Sequence, residues 1–170
     1  MHNIDSGISL REAGYSDIDT IRDLMYQVWP QTYAAIIPQE QINYMIEWMY
    51  SRASLEQQIK EGHHYWIVEV NNNPCGYGSF SRTDSSHTYK IHKLYIIEDQ
   101  QHAGLGTALL EMFLQIIRSD HGKFVQLQVN RENSKAFHFY QKHGFQIWKT
   151  VDFDIGNGYS MNDFVLQKNL

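Results

Sequence analysis

The chain has 170 residues, 42% of them hydrophobic and 19% charged, which fits one globular domain and excludes a disordered chain. Its 14 basic and 19 acidic residues give a formal charge of −5, which argues against non-specific nucleic-acid binding and leaves room for a cationic substrate. A single cysteine, Cys75, excludes an internal disulfide framework and a multi-cysteine zinc site.

The first seven residues are polar, and no aliphatic run approaches the ~20 residues of a membrane helix. The expectation is a cytoplasmic protein without a membrane partner. Residues 8–11 read as a first strand. Ser16 is placed to cap a helix over 17–29, where Ile18, Ile21, Leu24, Met25 and Val28 recur at helical spacing. Pro30 is expected to end that helix. Pro38 fits the first position of a second helix through Ile42, Met45 and Met49. Ser54 fits the cap of a third, stopped by Gly62.

The pattern then turns to strands. Residues 65–70 read as one strand, 71–74 as a turn, 75–82 as the return strand and 88–97 as a long third strand. Residues 104–118 are strongly helical, with Leu105, Leu109, Met112 and Phe113 on one side. A strand over 124–129, a helix over 134–143 and strands over 145–150 and 162–167 complete the chain. Strand–helix alternation starts late, so the fold class is α+β rather than a doubly wound sheet. Residues 1–170 are taken as one domain.

The turn after the third strand reads Gln101-His102-Ala103-Gly104-Leu105-Gly106-Thr107. Glycines let the backbone turn sharply and approach a ligand closely. The first amides of the following helix lack internal partners and sit at the positive end of its dipole. Such a site suits a pyrophosphate. A purely structural turn explains the glycines equally well on spacing alone. A Walker loop is excluded because Gly106 is followed by Thr107-Ala108, and a dinucleotide fingerprint is excluded by Leu109.

Some 30 residues downstream stands the string Asn133-xx-Ala136-xx-Phe139-Tyr140, closing on Gly144-Phe145. Together with Leu94-Tyr95-Ile96 and the QxxGxG turn, it resembles the GNAT N-acetyltransferase superfamily. The resemblance is specific over 88–148; over 8–82 it is a matching order of elements. It implies a mixed, mostly antiparallel sheet with helices on both faces. Acetyl-CoA would lie where two neighbouring strands, 88–97 and 124–129, splay apart. The pyrophosphate would sit on backbone amides from His102 through Ala103, Gly104, Leu105 and Gly106 to Thr107, following Gln101. The pantetheine arm would pair with the free edge at Leu94, Tyr95 and Ile96. An amide of that edge could polarise the thioester carbonyl. Asn133 matches the asparagine that contacts the cofactor arm, and it could also cap the helix that follows.

The same resemblance assigns Tyr140 as the general acid that protonates the departing thiolate. A core tyrosine beside Phe137 is the alternative. For the base, His92 leads: strand alternation puts it on the face of Leu94, and an ordinary histidine is a competent base at neutral pH. A packed histidine, or deprotonation through water, stays open. The acceptor site would form from the first helices, where Trp29 and Tyr33, with Tyr44, Trp48, Tyr50, Glu40 and Glu47, could cage an amine. His63-His64 lacks a second ligand cluster, so no metal is expected. The resemblance thus implies an acetyl-CoA-dependent N-acetyltransferase acting on a small-molecule amine or peptide by direct transfer. The alternative is a non-catalytic acyl-CoA-binding or regulatory module on the same fold. Many relatives are dimers and the aromatic content permits a homodimer; neither the oligomeric state nor the acceptor follows from the sequence.

Overall fold

The computed structural model describes the backbone of residues 2–5 and 7–170, with side chains from 7 to 101 and from 104 onward. Eight strands form one sheet in the order β1-β2-β3-β4-β5-β6-β8-β7. They are β1 (His2–Asp5), β2 (Ile8–Ala13), β3 (His64–Val70), β4 (Asn73–Arg82), β5 (Thr88–Ile96), β6 (Phe124–Asn130), β7 (Gln146–Gly156) and β8 (Tyr159–Asn169). The helices are α1 (Ile18–Tyr33), α2 (Gln39–Tyr50), α3 (Arg52–Lys60), α4 (Leu105–Ser119) and α5 (Ser134–Lys142). All neighbouring strands are antiparallel except β5 and β6, which are parallel. The expected α+β class, with helices on both faces, is what the structure has.

Each sheet face carries its own apolar core. Leu105, Leu109, Phe113 and Ile117 of α4 and Tyr140 of α5 pack with Phe80, Ile91 and Leu127 on one face. Ile18, Ile21, Met25 and Trp29 of α1, Ile42 and Met45 of α2 and Leu55 of α3 cover Ile67 and Tyr77 on the other. In β6 the buried residues Val125, Leu127 and Val129 alternate with partly exposed ones, the period-2 pattern of a strand.

Two features of β5 create the site. Its parallel ladder with β6 runs only from Thr88↔Phe124 to Ile91↔Leu127, whereas β6 keeps pairing with β8 out to Asn130↔Asp163. Beyond Ile91 the two strands therefore splay. On the other side, β4 pairs Phe80 with Ile91 and then Ser79 with Lys93, skipping His92. This is a β-bulge, which adds one unpaired residue and bends the strand. Close backbone approach holds β4 to the bulged strand: a Cβ on Gly78 would lie 2.8 Å from Lys93 O and 2.9 Å from Phe113 Cζ.

Several boundaries differ from expectation. The helix α1 runs through Pro30 to Tyr33, with Ala34 N donating to Pro30 O at 3.0 Å. Proline deletes one amide donor, and packing of Tyr33 on Trp29, ring centroids 4.6 Å apart, holds the last turn. Ser16 caps nothing: a 3-10 turn, Tyr15–Asp17, precedes α1, and Gly14 N donates to Asp17 Oδ2 at 3.0 Å. Ser51, rather than Ser54, caps α3 by accepting from Ser54 N. Pro38 is the N-cap of α2 and not its first residue. The β7–β8 hairpin has 11 residues per strand, much longer than expected, and β1 had no signal in its polar sequence.

Candidate active site

Two cavities meet at Tyr95, which lines both. The smaller, of about 320 Å³, lies between the free edge of β5 and the starts of α4 and α5. It gathers Leu94, Tyr95, Ile96, Gln101, Gly106, Asn133 and Tyr140, seven residues drawn from three separated stretches of sequence. Gln101 Nε2 donates to Ile96 O at 2.9 Å, and its Oε1 accepts from Lys135 Nζ. Gln101 thereby ties the strand end to α5. A 3-10 turn, Glu98–Ala103, leads to Gly104, the N-cap of α4, at φ +73 and ψ +7. The left-handed region suits glycine. No side chain caps this helix, and the first ladder amide is Ala108 N, bonded to Gly104 O at 3.0 Å. The amides of Leu105, Gly106 and Thr107 are those that a helix leaves without internal partners. The side chains of His102 and Ala103 lie outside the described residues.

Asn133 does one of its two expected tasks visibly: its Oδ1 accepts from Ala136 N at 3.1 Å and caps α5. Its place on the wall of the smaller cavity leaves the other open to it. Tyr140 is buried among Phe139 and Phe145, with ring centroids at 5.2 and 5.6 Å. Burial pushes its hydroxyl pKa up, so it holds its proton.

The larger cavity, of about 670 Å³, opens on the opposite face, between α1, α2 and the splayed strands. Trp29 and Tyr33 line it as expected. Tyr33 and Tyr95 hydroxyls are 3.0 Å apart, which links this cavity to the strand that forms the smaller one. Trp48 and Tyr50 line it as well, and Tyr44 does not. Tyr50 is buried, accepting from Trp29 Nε1 at 3.1 Å and Tyr77 OH at 2.8 Å. Tyr44 donates to Ile155 O at 2.7 Å. Glu40 and Glu47 are exposed on α2 and line neither cavity. The buried carboxylate in the larger cavity is Asp163 of β8, 1% exposed, which had no local signal in the sequence.

His92 is not on the face of Leu94. The bulge breaks alternation, so His92 and Lys93 both turn to the larger cavity, while Leu94 packs toward α4 and lines the smaller one. His92 stacks on His63 with centroids 4.0 Å apart, and its Nε2 lies 2.8 Å from Ser81 Oγ. Burial first, then the neighbouring His63, Lys90 and Lys93, lowers its pKa to about 2. A ring so reluctant to take a proton is a poor base. Lys93 is buried, its Nζ donating to Gln58 Oε1 at 2.6 Å and lying 5.2 and 5.4 Å from the ring centres of Tyr50 and Tyr65. Burial, and then Lys90, lowers it to about 7. Asp163 is raised to about 6 by burial, against the opposing pull of Lys90 and Arg131. Its Oδ1 is buried and has no hydrogen-bond partner among the described residues.

Among known proteins, the model of the acetyltransferase (GNAT) family matches residues 22–145. A spermidine N(1)-acetyltransferase of Thermoplasma acidophilum is 24% identical over 170 residues, covering 95% of this chain and 96% of its own. A probable N-acetyltransferase of Mycobacterium tuberculosis is 29% identical over 150 residues, covering 84% and 82%. The crystal structure of the PaiA N-acetyltransferase from Thermoplasma acidophilum, in complex with coenzyme A, superimposes with a TM-score of 0.82 at 24% identity, covering 96% of this chain and 99% of that one.

Proposed function

The chain belongs to the acetyltransferase (GNAT) family, and from that premise we propose that it moves an acetyl group from acetyl-CoA to a primary amine of a small molecule or peptide, directly, in a ternary complex. The observation that carries this reading is the meeting of two cavities at Tyr95, one under the glycine turn and the other lined by Trp29, Tyr33 and Asp163. All 170 residues serve this one domain.

The residues of the smaller cavity fit the co-substrate. The uncapped start of α4 offers the amides of Leu105, Gly106 and Thr107 to a pyrophosphate. The edge of β5 beyond Ile91, where the β6 ladder has ended, offers backbone at Leu94 and Tyr95 to an amide-bearing arm, next to Ile96, whose carbonyl Gln101 already holds. Bound there, acetyl-CoA supplies the thioester. Tyr140 keeps a proton ready for the sulfur that leaves. As the new C–N bond forms and the C–S bond breaks, one N–H proton of the amine replaces the proton that Tyr140 gives to sulfur, and the ammonium form must lose another before it attacks. In this reading that proton goes to Asp163, the carboxylate with an unpartnered oxygen, while His92 packs against His63. Asp163 and Tyr140 both stand within electrostatic reach of Tyr33, so acid and base flank the junction. The relative's substrate, spermidine, is a small-molecule amine, which agrees with the acceptor class.

Calorimetric titration tests the co-substrate half. Acetyl-CoA should bind one site per chain and protect against thermal unfolding, and ATP and NAD should not. Equal protection by either nucleotide would overturn it.

A further inference from the structure

We infer that the acceptor is a zwitterion, an amine that also bears a carboxylate, whose carboxylate is received by Lys90 and Lys93 and whose ammonium is received by Asp163. This deepens the acetyltransferase reading and rests on it. The chain as a whole is acidic, with a charge of −5, yet its acceptor cavity is not. Lys90 and Lys93 both line it, three residues apart on one bulged strand. The bulge at His92 turns the two lysines to one face.

Neither lysine has a carboxylate partner within ion-pair distance among the described residues; each donates to a neutral glutamine. Lys90 Nζ lies 2.5 Å from Gln128 Oε1, and Lys93 Nζ lies 2.6 Å from Gln58 Oε1. An ammonium has three donors, so both retain hydrogen-bonding capacity. Lys93 is buried and Lys90 half-buried, and a cation drawn from water without an anionic partner is costly. The cost shows in both groups, whose protonated forms burial disfavours. A ligand carboxylate would relieve it.

The opposite pole is equally incomplete. Asp163 is 1% exposed, and its Oδ1 has no partner among the described residues. It is close enough to Lys90 for each to shift the other, but the two form no salt bridge. His63 and His92 add no charge, because burial holds both rings neutral. Exposed Lys149 and Asp154 line the same cavity, so it holds charges of both signs, none in an ion pair among the described residues, and such a cavity complements a zwitterion. A polyamine would bring several positive charges against Lys90 and Lys93, and like charges placed together repel.

Matched pairs of acceptors test this: lysine against cadaverine, ornithine against putrescine and phenylalanine against phenethylamine, with spermidine and phosphoethanolamine alongside. Turnover is followed by thiol release from acetyl-CoA, and binding by calorimetry on the coenzyme A-loaded protein. The carboxylated member of at least one pair should exceed its partner at least tenfold in kcat/KM or affinity. Lys90→Met should shrink that ratio about tenfold, and Lys90→Arg should keep it. Preference for spermidine or for the decarboxylated members would overturn the inference while leaving the transferase reading intact. So would a Lys90→Met ratio equal to the wild-type ratio. Phosphoethanolamine exceeding every carboxylated amine would overturn the carboxylate assignment in favour of a phosphate. If no amine supports thiol release, the transferase reading fails, and the binding arm still decides: no carboxylate preference there overturns this inference as well.

Discussion

The ring of His92 stacks on that of His63 at 4.0 Å with the planes 17° apart, and both rings are neutral in the folded protein. Burial is the main cause for each, and it lowers His63 to about 4 and His92 to about 2. Unfolded histidine titrates near 6.5. As pH falls below ~6.5, the unfolded chain takes up two protons that the folded chain refuses, so stability is lost as the pH drops toward 4. Asp163 opposes this, because its raised pKa makes the folded state bind a proton between about 6 and 4. Two protons against one leaves net acid destabilisation. Thermal melts should fall by at least ~3 °C between pH 7 and pH 5, and a His63→Gln, His92→Gln double variant should lose most of that slope. A wild-type melting temperature unchanged over this range would contradict the burial argument.

Asp163 predicts the shape of the rate profile. If its carboxylate takes the amine proton, kcat/KM declines below about pH 6, where Asp163 becomes protonated. Asp163→Asn should cost about 10²–10⁴-fold in rate and erase that acid limb. The same variant should be more stable than wild type at pH 8, because it removes a buried charge. An Asp163→Asn enzyme with wild-type rate would return the base role to water.

Gly104 predicts a backbone effect. A Cβ there would meet nothing within 4 Å, but φ is +73. The strain of a left-handed β-branched residue, about 1–3 kcal/mol, is therefore the cost. Gly104→Val should lower the melting temperature and weaken acetyl-CoA binding by a similar amount, read by calorimetry. Unchanged affinity would remove the phosphate site from the start of α4.

Tyr50 predicts a stability effect. Its hydroxyl accepts from both Trp29 and Tyr77 in the core beneath the acceptor cavity. Tyr50→Phe strands two buried donors at about 1–3 kcal/mol each. Chemical denaturation should show a loss of about 2–6 kcal/mol for the two together, with little change in fold by circular dichroism.

The start of α4 at the glycine turn and the N-cap Asn133 are legible because each is a local signal, whereas Tyr140 is singled out only by the family resemblance. The splayed strands followed from the family resemblance. The base did not. Alternation places His92 beside Leu94, and only the register jump between Ser79 and Phe80 on the neighbouring strand reverses that. No local pattern marks a bulge of this kind. Asp163 was invisible for a different reason. It reaches Lys90 through β8 pairing beside β6, a tertiary relation 73 residues apart in sequence. Pro30 does not stop α1 because tertiary packing of Tyr33 on Trp29 outweighs one missing amide.

Steady-state thiol release from acetyl-CoA, by wild type and by Tyr140→Phe on a panel of amines, tests the central claim most directly. The account predicts amine-dependent release by wild type. It predicts a 10²–10⁴-fold lower kcat for Tyr140→Phe, with acetyl-CoA affinity within about threefold by calorimetry. Equal turnover by the two proteins would contradict the assignment of Tyr140 as the acid, and no amine-dependent release from a preparation that binds acetyl-CoA would contradict the transfer itself.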